Sequence, residues 1–236
     1  MMHVTVRRMA LSVASVSMSV LTALILFYCV CYIPPQAYIV QADTAKQDTV
    51  VPESQLPMRI EGTDLYLQYI ASYDGTFYED GSNREVFNVA AAVVKNCGDS
   101  MISLAVFQVD TGQDSYRFEA MMIPPYSSVM VPEKSAKQYC KCNVLSGSGW
   151  SVEAEPMPAY PITITPMDIG TLRITNISNE PLTEIQVFHK TYLQESDLFV
   201  GGIAFETVVE FVAPNSFAEV RPKFYAGGYS EILYVA

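Results

Sequence analysis

The sequence has little histidine: only His3 and His189 are present. Catalytic triads and most catalytic zinc sites use an imidazole as general base or ligand. The chain also lacks Gly-x-Ser-x-Gly and His-Glu-x-x-His, which mark α/β-hydrolases and zinc proteases. We therefore predict that the chain is not an enzyme and has no cofactor. The alternating segment around His189 predicts a surface or edge position in a strand.

Positive charge is also scarce. The chain has 14 Lys and Arg against 25 Asp and Glu, and its formal net charge is −11. Arg7 and Arg8 lie near the N-terminus, so the rest of the chain has 12 basic and 25 acidic side chains. An acidic surface repels phosphate backbones, so we expect no nucleic-acid partner.

Long runs of Ala, Leu, Glu and Lys, which are typical of helical proteins, are missing after residue 33. That part of the chain is instead rich in Tyr, Phe, Val and Ile. These side chains suit a pleated, half-buried sheet. We therefore predict an all-β fold.

One apolar run, residues 9–33, contains no charged side chain and is followed by Pro34-Pro35. A helix of this length reaches roughly 37 Å, enough to cross a hydrocarbon core of about 30 Å. Arg7 and Arg8 precede the run, so the positive-inside rule predicts a cytoplasmic tip, residues 1–8, and an extracellular body on a single-pass signal anchor. The alternative is secretion after cleavage near Ala42.

Five cysteines are present, and Cys97, Cys140 and Cys142 lie outside the apolar run. Three thiols cannot all pair within one chain. A disulfide between Cys97 and either Cys140 or Cys142 is one alternative. Three free, small apolar side chains are the other.

Two tandem β-sandwich modules are predicted for the body, because strand-like segments alternate with Gly, Asp and Pro turns. Residues 34–60 are rich in proline and indicate a linker, and residues 61–155 and 160–236 form the two modules. Asp74-Gly75 and Asp80-Gly81 predict tight turns. Gly147 to Trp150 predicts a flexible turn.

An internal repeat supports two modules. Asn96, Ile102 and Ser103 match Asn176, Leu182 and Thr183 at an offset of 80 residues. The segment from Pro125 to Val131 matches Pro214 to Val220 at an offset of 89. Asn at a strand end caps a turn with its own side chain, and the nine extra residues fall in a loop around residues 194–202. Such self-similarity indicates a duplicated structural unit.

This pattern of Val-x-Asn, a turn, a strand and Pro-x-Ser resembles the FxLYD- and CARDB-type immunoglobulin-like modules of bacterial surfaces. The segments 73–82 and 88–90 are also similar to exported proteins of gut Firmicutes. The resemblance implies an immunoglobulin-like sandwich in each module and an extracellular location. It implies no activity, because a sandwich hosts many unrelated functions.

Side chains with oxygen atoms that could bind a metal are concentrated in one loop, residues 74–85. Calcium prefers several oxygen ligands, so calcium is the candidate metal for this loop. The candidate ligands are Asp74, Glu79, Asp80, Asn83 and Glu85. Tyrosines are clustered around Tyr66–Tyr78 and again around Tyr225–Tyr234, as in carbohydrate or protein contact surfaces.

The function expected from these features is non-catalytic adhesion, binding or envelope assembly at the bacterial cell surface. The partner would be a protein or carbohydrate, and residues 9–33 would contact the membrane. The alternative is an accessory subunit of a membrane transporter or secretion complex.

Overall fold

The computed structural model describes residues 56–141, 143–157 and 160–236, and all of them lie in one compact unit of the chain. It confirms the all-β prediction, since these residues form strands and a single short 3-10 segment, Gln194–Ser196. The strands are β1 Met58–Arg59, β2 Leu65–Phe77, β3 Arg84–Asn96, β4 Ile102–Asp110, β5 Ser115–Ile123, β6 Ser128–Pro132, β7 Ser146–Glu153, β8 Ile162–Pro166, β9 Leu172–Asn176, β10 Leu182–Leu193, β11 Leu198–Val212, β12 Phe217–Val220 and β13 Ser230–Val235.

The predicted cytoplasmic tip and membrane anchor, residues 1–33, lie outside the described residues, as does most of the predicted linker. Within residues 56–141, 143–157 and 160–236, no helix has the length and hydropathy needed to span a bilayer.

Three sheets make up the fold. Sheet I has seven strands in the order β1-β2-β3-β6-β11-β10-β13, sheet II has the order β5-β4-β7, and sheet III has the order β12-β9-β8. The core between sheets I and II contains Phe107, Phe118 and Phe199, together with many smaller apolar side chains. A separate core contains Ile174 of sheet III and Ile185 and Val187 of sheet I.

Strand pairing is the same in the two halves of the chain. Strands β2, β3 and β6 are neighbours in that order, as are β8, β9 and β12. Likewise β5-β4-β7 matches β11-β10-β13. The registers also agree at the two sequence offsets, because Ile102 pairs with Ile123 and Leu182 with Val212.

Asn96 is fully buried at the end of β3 and connects three segments of the first half. Its side-chain nitrogen donates to the carbonyl oxygens of Ser100 (2.9 Å), Ile123 (3.2 Å) and Pro124 (3.2 Å). Its side-chain oxygen accepts from the Gly98 N–H at 2.9 Å. The side chain thus satisfies backbone groups of the turn and of β5 that are shielded from water.

Asn176 makes the same contacts at the end of β9. Its side-chain nitrogen donates to the carbonyl oxygens of Glu180 (2.7 Å), Val212 (3.2 Å) and Ala213 (3.2 Å). Its side-chain oxygen accepts from the Ser178 N–H at 2.9 Å. Every partner lies 80 or 89 residues after its counterpart around Asn96, so both halves close their turns in one way.

The two halves share sheet I because β6 pairs with β11 in parallel, with Ser128 opposite Leu198 and Met130 opposite Val200. The strands are contributed by segments about 70 residues apart in the chain. This pairing makes one continuous sheet across the predicted module boundary.

Two predicted turns are strand segments. Asp74-Gly75 lies within β2, where the register with β3 shifts, and the Asp74 carboxylate accepts from the Asn88 N–H. Gly147 to Trp150 belongs to β7, which pairs with β4. At Gly149 a Cβ would lie 2.4 Å from the Val106 carbonyl oxygen, so glycine is needed here for a close approach between strands.

Asp80-Gly81 does form a turn. The Gly81 N–H donates to the Tyr78 carbonyl oxygen at 2.9 Å, and Gly81 has φ +76. This left-handed conformation is readily adopted by glycine.

Candidate functional site

The five calcium candidates do not converge on one point. Three of them have protein partners: Asp74 accepts from the Asn88 N–H, Asp80 pairs with Arg84 at 3.3 Å, and Glu85 accepts from the Thr76 hydroxyl. Glu79 is buried. Asn83 is exposed and has φ +52. Among the described residues, no three His, Cys, Asp or Glu side chains are close enough to hold a metal ion.

Cys97 and Cys140 are also far apart in the structure. Cys97 and Cys140 are both exposed free thiols. The N–H of Tyr139, the residue before Cys140, donates to the Asn88 carbonyl oxygen. Cys97 lies nine residues after Asn88, which is roughly 30 Å along an extended strand. A disulfide needs Cα atoms within about 7 Å. Cys142 lies outside the described residues, so its pairing stays a prediction.

Glu79 connects the β2–β3 loop to β11 in the second half of the chain. Its side chain is buried, and its carboxylate accepts from the Gly202 N–H at 2.8 Å. A Cβ at Gly202 would lie 2.8 Å from the other carboxylate oxygen and 2.2 Å from the Glu119 carbonyl oxygen. Glycine at this position therefore permits the contact between β5, β11 and the loop.

Lys190 of β10 is fully buried, and its Nζ has no hydrogen-bond partner among the described residues. Burial lowers its pKa to about 7, against the opposing attraction of Glu79. Burial raises the pKa of Glu79 to about 7, although the Gly202 N–H and the charges of Lys190 and Lys134 act in the opposite direction. The opposite charges of Lys190 and Glu79 therefore lower the free energy needed to ionise each group at its buried position. Both groups lie where the two halves of the chain meet.

His189 is buried, and its predicted surface position is wrong. Strand β10 lies between β11 and β13, so it is not an edge strand. The imidazole packs against the rings of Phe205 (5.5 Å) and Tyr225 (5.4 Å). Burial lowers the pKa of His189 to about 4. The nearby backbone of Lys223 acts to raise this pKa, but it makes no hydrogen bond with either imidazole nitrogen.

The predicted tyrosine clusters divide between core and surface. Tyr69 and Tyr229 are exposed, whereas Tyr73 is buried and donates to the Thr76 carbonyl oxygen at 2.8 Å. Tyr78 contacts the rings of Phe205 and Phe224 in the second half. No single tyrosine-rich surface results.

The outer face of sheet II has an apolar patch beside Glu119, whose carboxylate pairs with Lys134 at 3.3 Å. Alternation along the strands points Phe107, Phe118 and Ala105 into the core and their neighbours outward. The outward rows follow from the registers: Met121, Leu104 and Val152 form one, and Glu119, Val106 and Trp150 form the next. We call Leu104, Val106, Met121, Trp150 and Val152 the apolar face. Its exposed members are Trp150 (50%) and Val152 (49%).

The equivalent face of the second half is acidic. At the offsets of 80 and 89, Glu184 occupies the position of Leu104, Gln186 that of Val106 and Glu210 that of Met121. The β10–β11 register is the same as the β4–β5 register, whereas β13 pairs only with residues 187–191 of β10. Glu206 replaces Arg117 in the next row. We call Glu184, Gln186, Glu206, Val208 and Glu210 the acidic face. One architecture thus carries two different surfaces.

In comparisons with known proteins, no protein-family model, curated protein or solved structure matches the chain. The site therefore rests on geometry. Because both halves share one strand pairing, the architecture tolerates glutamate where the apolar face has leucine and methionine. We therefore infer that the fold does not require these apolar side chains, and a large exposed tryptophan among them is typical of contact surfaces.

The sequence prediction did not identify the apolar face. The signal was the alternation of Trp150 and Val152 with small residues. It was obscured because Gly147 and Gly149 were interpreted as a turn rather than as a strand.

Proposed function

We propose that the chain is a membrane-anchored, extracellular protein of the bacterial envelope that binds a partner without catalysis. In this proposal, residues 9–33 form the anchor and the body consists of two immunoglobulin-like modules, residues 61–155 and 160–236. The repeated strand pairing supports the duplication, and the apolar run with its preceding arginines supports the topology.

The apolar face is the observation that carries the binding role. Sheet II covers the core with its inner side, so the outward side chains contribute little to that core. Half of the Trp150 surface is open to solvent beside Val106 and Val152. An exposed aromatic side chain surrounded by apolar neighbours supplies the kind of anchor on which protein interfaces depend.

The experiment is photo-crosslinking in intact cells that carry the full-length chain. A benzophenone amino acid replaces Trp150 in one strain and Thr163, an exposed residue of β8, in a matched control. We expect membrane-associated protein adducts from position 150 and few from position 163, because only the former lies on the apolar face. Equal adducts from both positions, or none from position 150, would contradict a protein-binding role of this face.

A further inference from the structure

We propose that a second copy of this chain covers the apolar face, in a two-fold dimer in which the apolar face of each copy packs against the acidic face of the other. This inference rests on the proposed binding role of the apolar face and names its partner. Four properties of the two faces support this arrangement. They are the side of sheet I on which the faces lie, the layer to which each belongs, their area and their charge.

Both faces point to the same side of sheet I. Tyr192 of β10 packs against the core between sheets I and II, together with its cross-strand neighbour Phe199. The register shifts beside residues 188–191 put the extra residues on β11 and β13, so β10 itself continues to alternate. Alternation along β10 therefore places Gln186 and Phe188 on the side that sheet II covers, whereas Ile185 and Val187 face sheet III. A two-fold axis can accordingly bring the apolar face of each copy over the acidic face of the other.

The two faces differ in height by one layer. Sheet II is stacked on the first half of sheet I, and packed sheets are about 10 Å apart. The acidic face belongs to sheet I itself, so it lies one layer lower and next to the β5 edge, where Gly202 approaches Glu119. Two copies related by a two-fold axis therefore interlock, because the raised half of each fills the recess of the other.

The area is that of an ordinary dimer. Three strands about 4.8 Å apart and eight residues long cover roughly 400 Å². The acidic face lies on β10 and β11 alone, so it covers roughly 250 Å². Each copy therefore contributes roughly 650 Å², and the dimer buries roughly 1,300 Å² in total, within the range of standard protein interfaces. A single contact between one apolar and one acidic face buries only half of this total, so the two-fold arrangement is favoured.

Charge favours apolar-to-acidic pairing over contact between like faces. Arg117 is exposed beside the apolar face, and Glu184, Glu206 and Glu210 are exposed on the acidic face. Among the described residues, none of these four takes part in an ion pair. Pairing two acidic faces places like charges opposite each other, whereas the proposed pairing brings Arg117 to the glutamates.

The apolar atoms are also complementary. Val208 of the acidic face is exposed, and Phe188 and Tyr234 lie beside it with their rings 6.2 Å apart. These side chains give Trp150 and Val152 an apolar surface to bury, with the glutamates at its margin.

The test is sedimentation of the full-length chain in density-matched detergent. We expect a protein mass of twice 26.1 kDa with micromolar dissociation and no larger species. Arg117→Glu should weaken the dimer at least tenfold, as should Glu206→Arg with Glu210→Arg, since each change places like charges together. The variant combining all three substitutions should restore it. Arg221→Glu, an exposed change outside both faces, is the matched control.

Each other outcome overturns the inference. A monomer throughout the micromolar range contradicts it, while adducts of another protein at position 150 would leave the binding role intact. A series of larger oligomers contradicts the closed two-fold arrangement. A dimer that is insensitive to Arg117→Glu, or is not restored by the combined charge reversal, places the contact on another surface.

Discussion

Replacing either buried asparagine with alanine should destabilise the protein by about 3 kcal/mol, because several buried backbone groups then lose their partners. Asn96→Ala removes the donor to three carbonyl oxygens, and Asn176→Ala removes the same set in the second half. A loss of this size is a large part of the stability of a typical domain. Equilibrium unfolding in urea measures it.

Asn179→Ala is the control, because its side-chain oxygen accepts only an exposed bond from Asn215. This change should cost less than about 1 kcal/mol. If Asn96→Ala is as mild as the control, the hydrogen-bond network does not stabilise the turn. If only one of the two buried positions matters, the halves are not equivalent.

Replacing Lys190 with methionine should stabilise the protein by about 3 kcal/mol at pH 6, since the substitution removes a buried ammonium without a hydrogen-bond partner. At this pH Glu79, with a pKa of about 7, is mostly neutral, so the substitution leaves little uncompensated charge. The pKa of Lys190 falls from its ordinary 10.5 to about 7 in the folded chain. Below pH 7 both states are protonated and the full cost of burial applies. Between pH 7 and 10.5 only the unfolded state binds the proton, so the native chain gains stability as the pH rises. The advantage of Lys190→Met should therefore shrink toward pH 10.

Urea unfolding at pH 6 and pH 9.5 tests this dependence. Lys137→Met is the matched control, because Lys137 lies at the surface in an ion pair with Asp114 at 2.7 Å. That change should alter stability far less than Lys190→Met does, and by a similar amount at the two pH values, because an exposed ion pair is screened by solvent. A destabilising Lys190→Met, or a gain that does not change with pH, would show that Lys190 has a partner in solution.

Local signals identified the strands, and contacts distant in sequence decided the rest. Strand-like segments predicted the all-β class, and β4 and β5 have the period of a half-exposed strand. The turn at Asn96 was recognised from its side chain. Gly149 was interpreted as flexible because a glycine's neighbour in space, here the backbone of Val106, is absent from its own segment.

The sequence did not predict the β6–β11 pairing or the apolar face, because both depend on contacts between distant segments. Nothing near Ser128 or Leu198 signals that their strands pair in parallel. Glu79 was predicted as a calcium ligand in an acidic loop, yet its buried carboxylate accepts from the Gly202 N–H, 123 positions away in the sequence. His189 looked like an edge residue because its sequence does not reveal that β10 has neighbours on both sides.

Binding by the apolar face requires that its side chains are not part of the folded core. The measurement is the free energy of unfolding of a variant in which the first half receives the residues of the second: Leu104→Glu, Val106→Gln and Met121→Glu. We expect a loss of less than about 3 kcal/mol for the triple variant, because the three side chains are half-buried and lie outside the core between sheets I and II. A loss of more than about 3 kcal/mol, the size of a core defect, would contradict the claim.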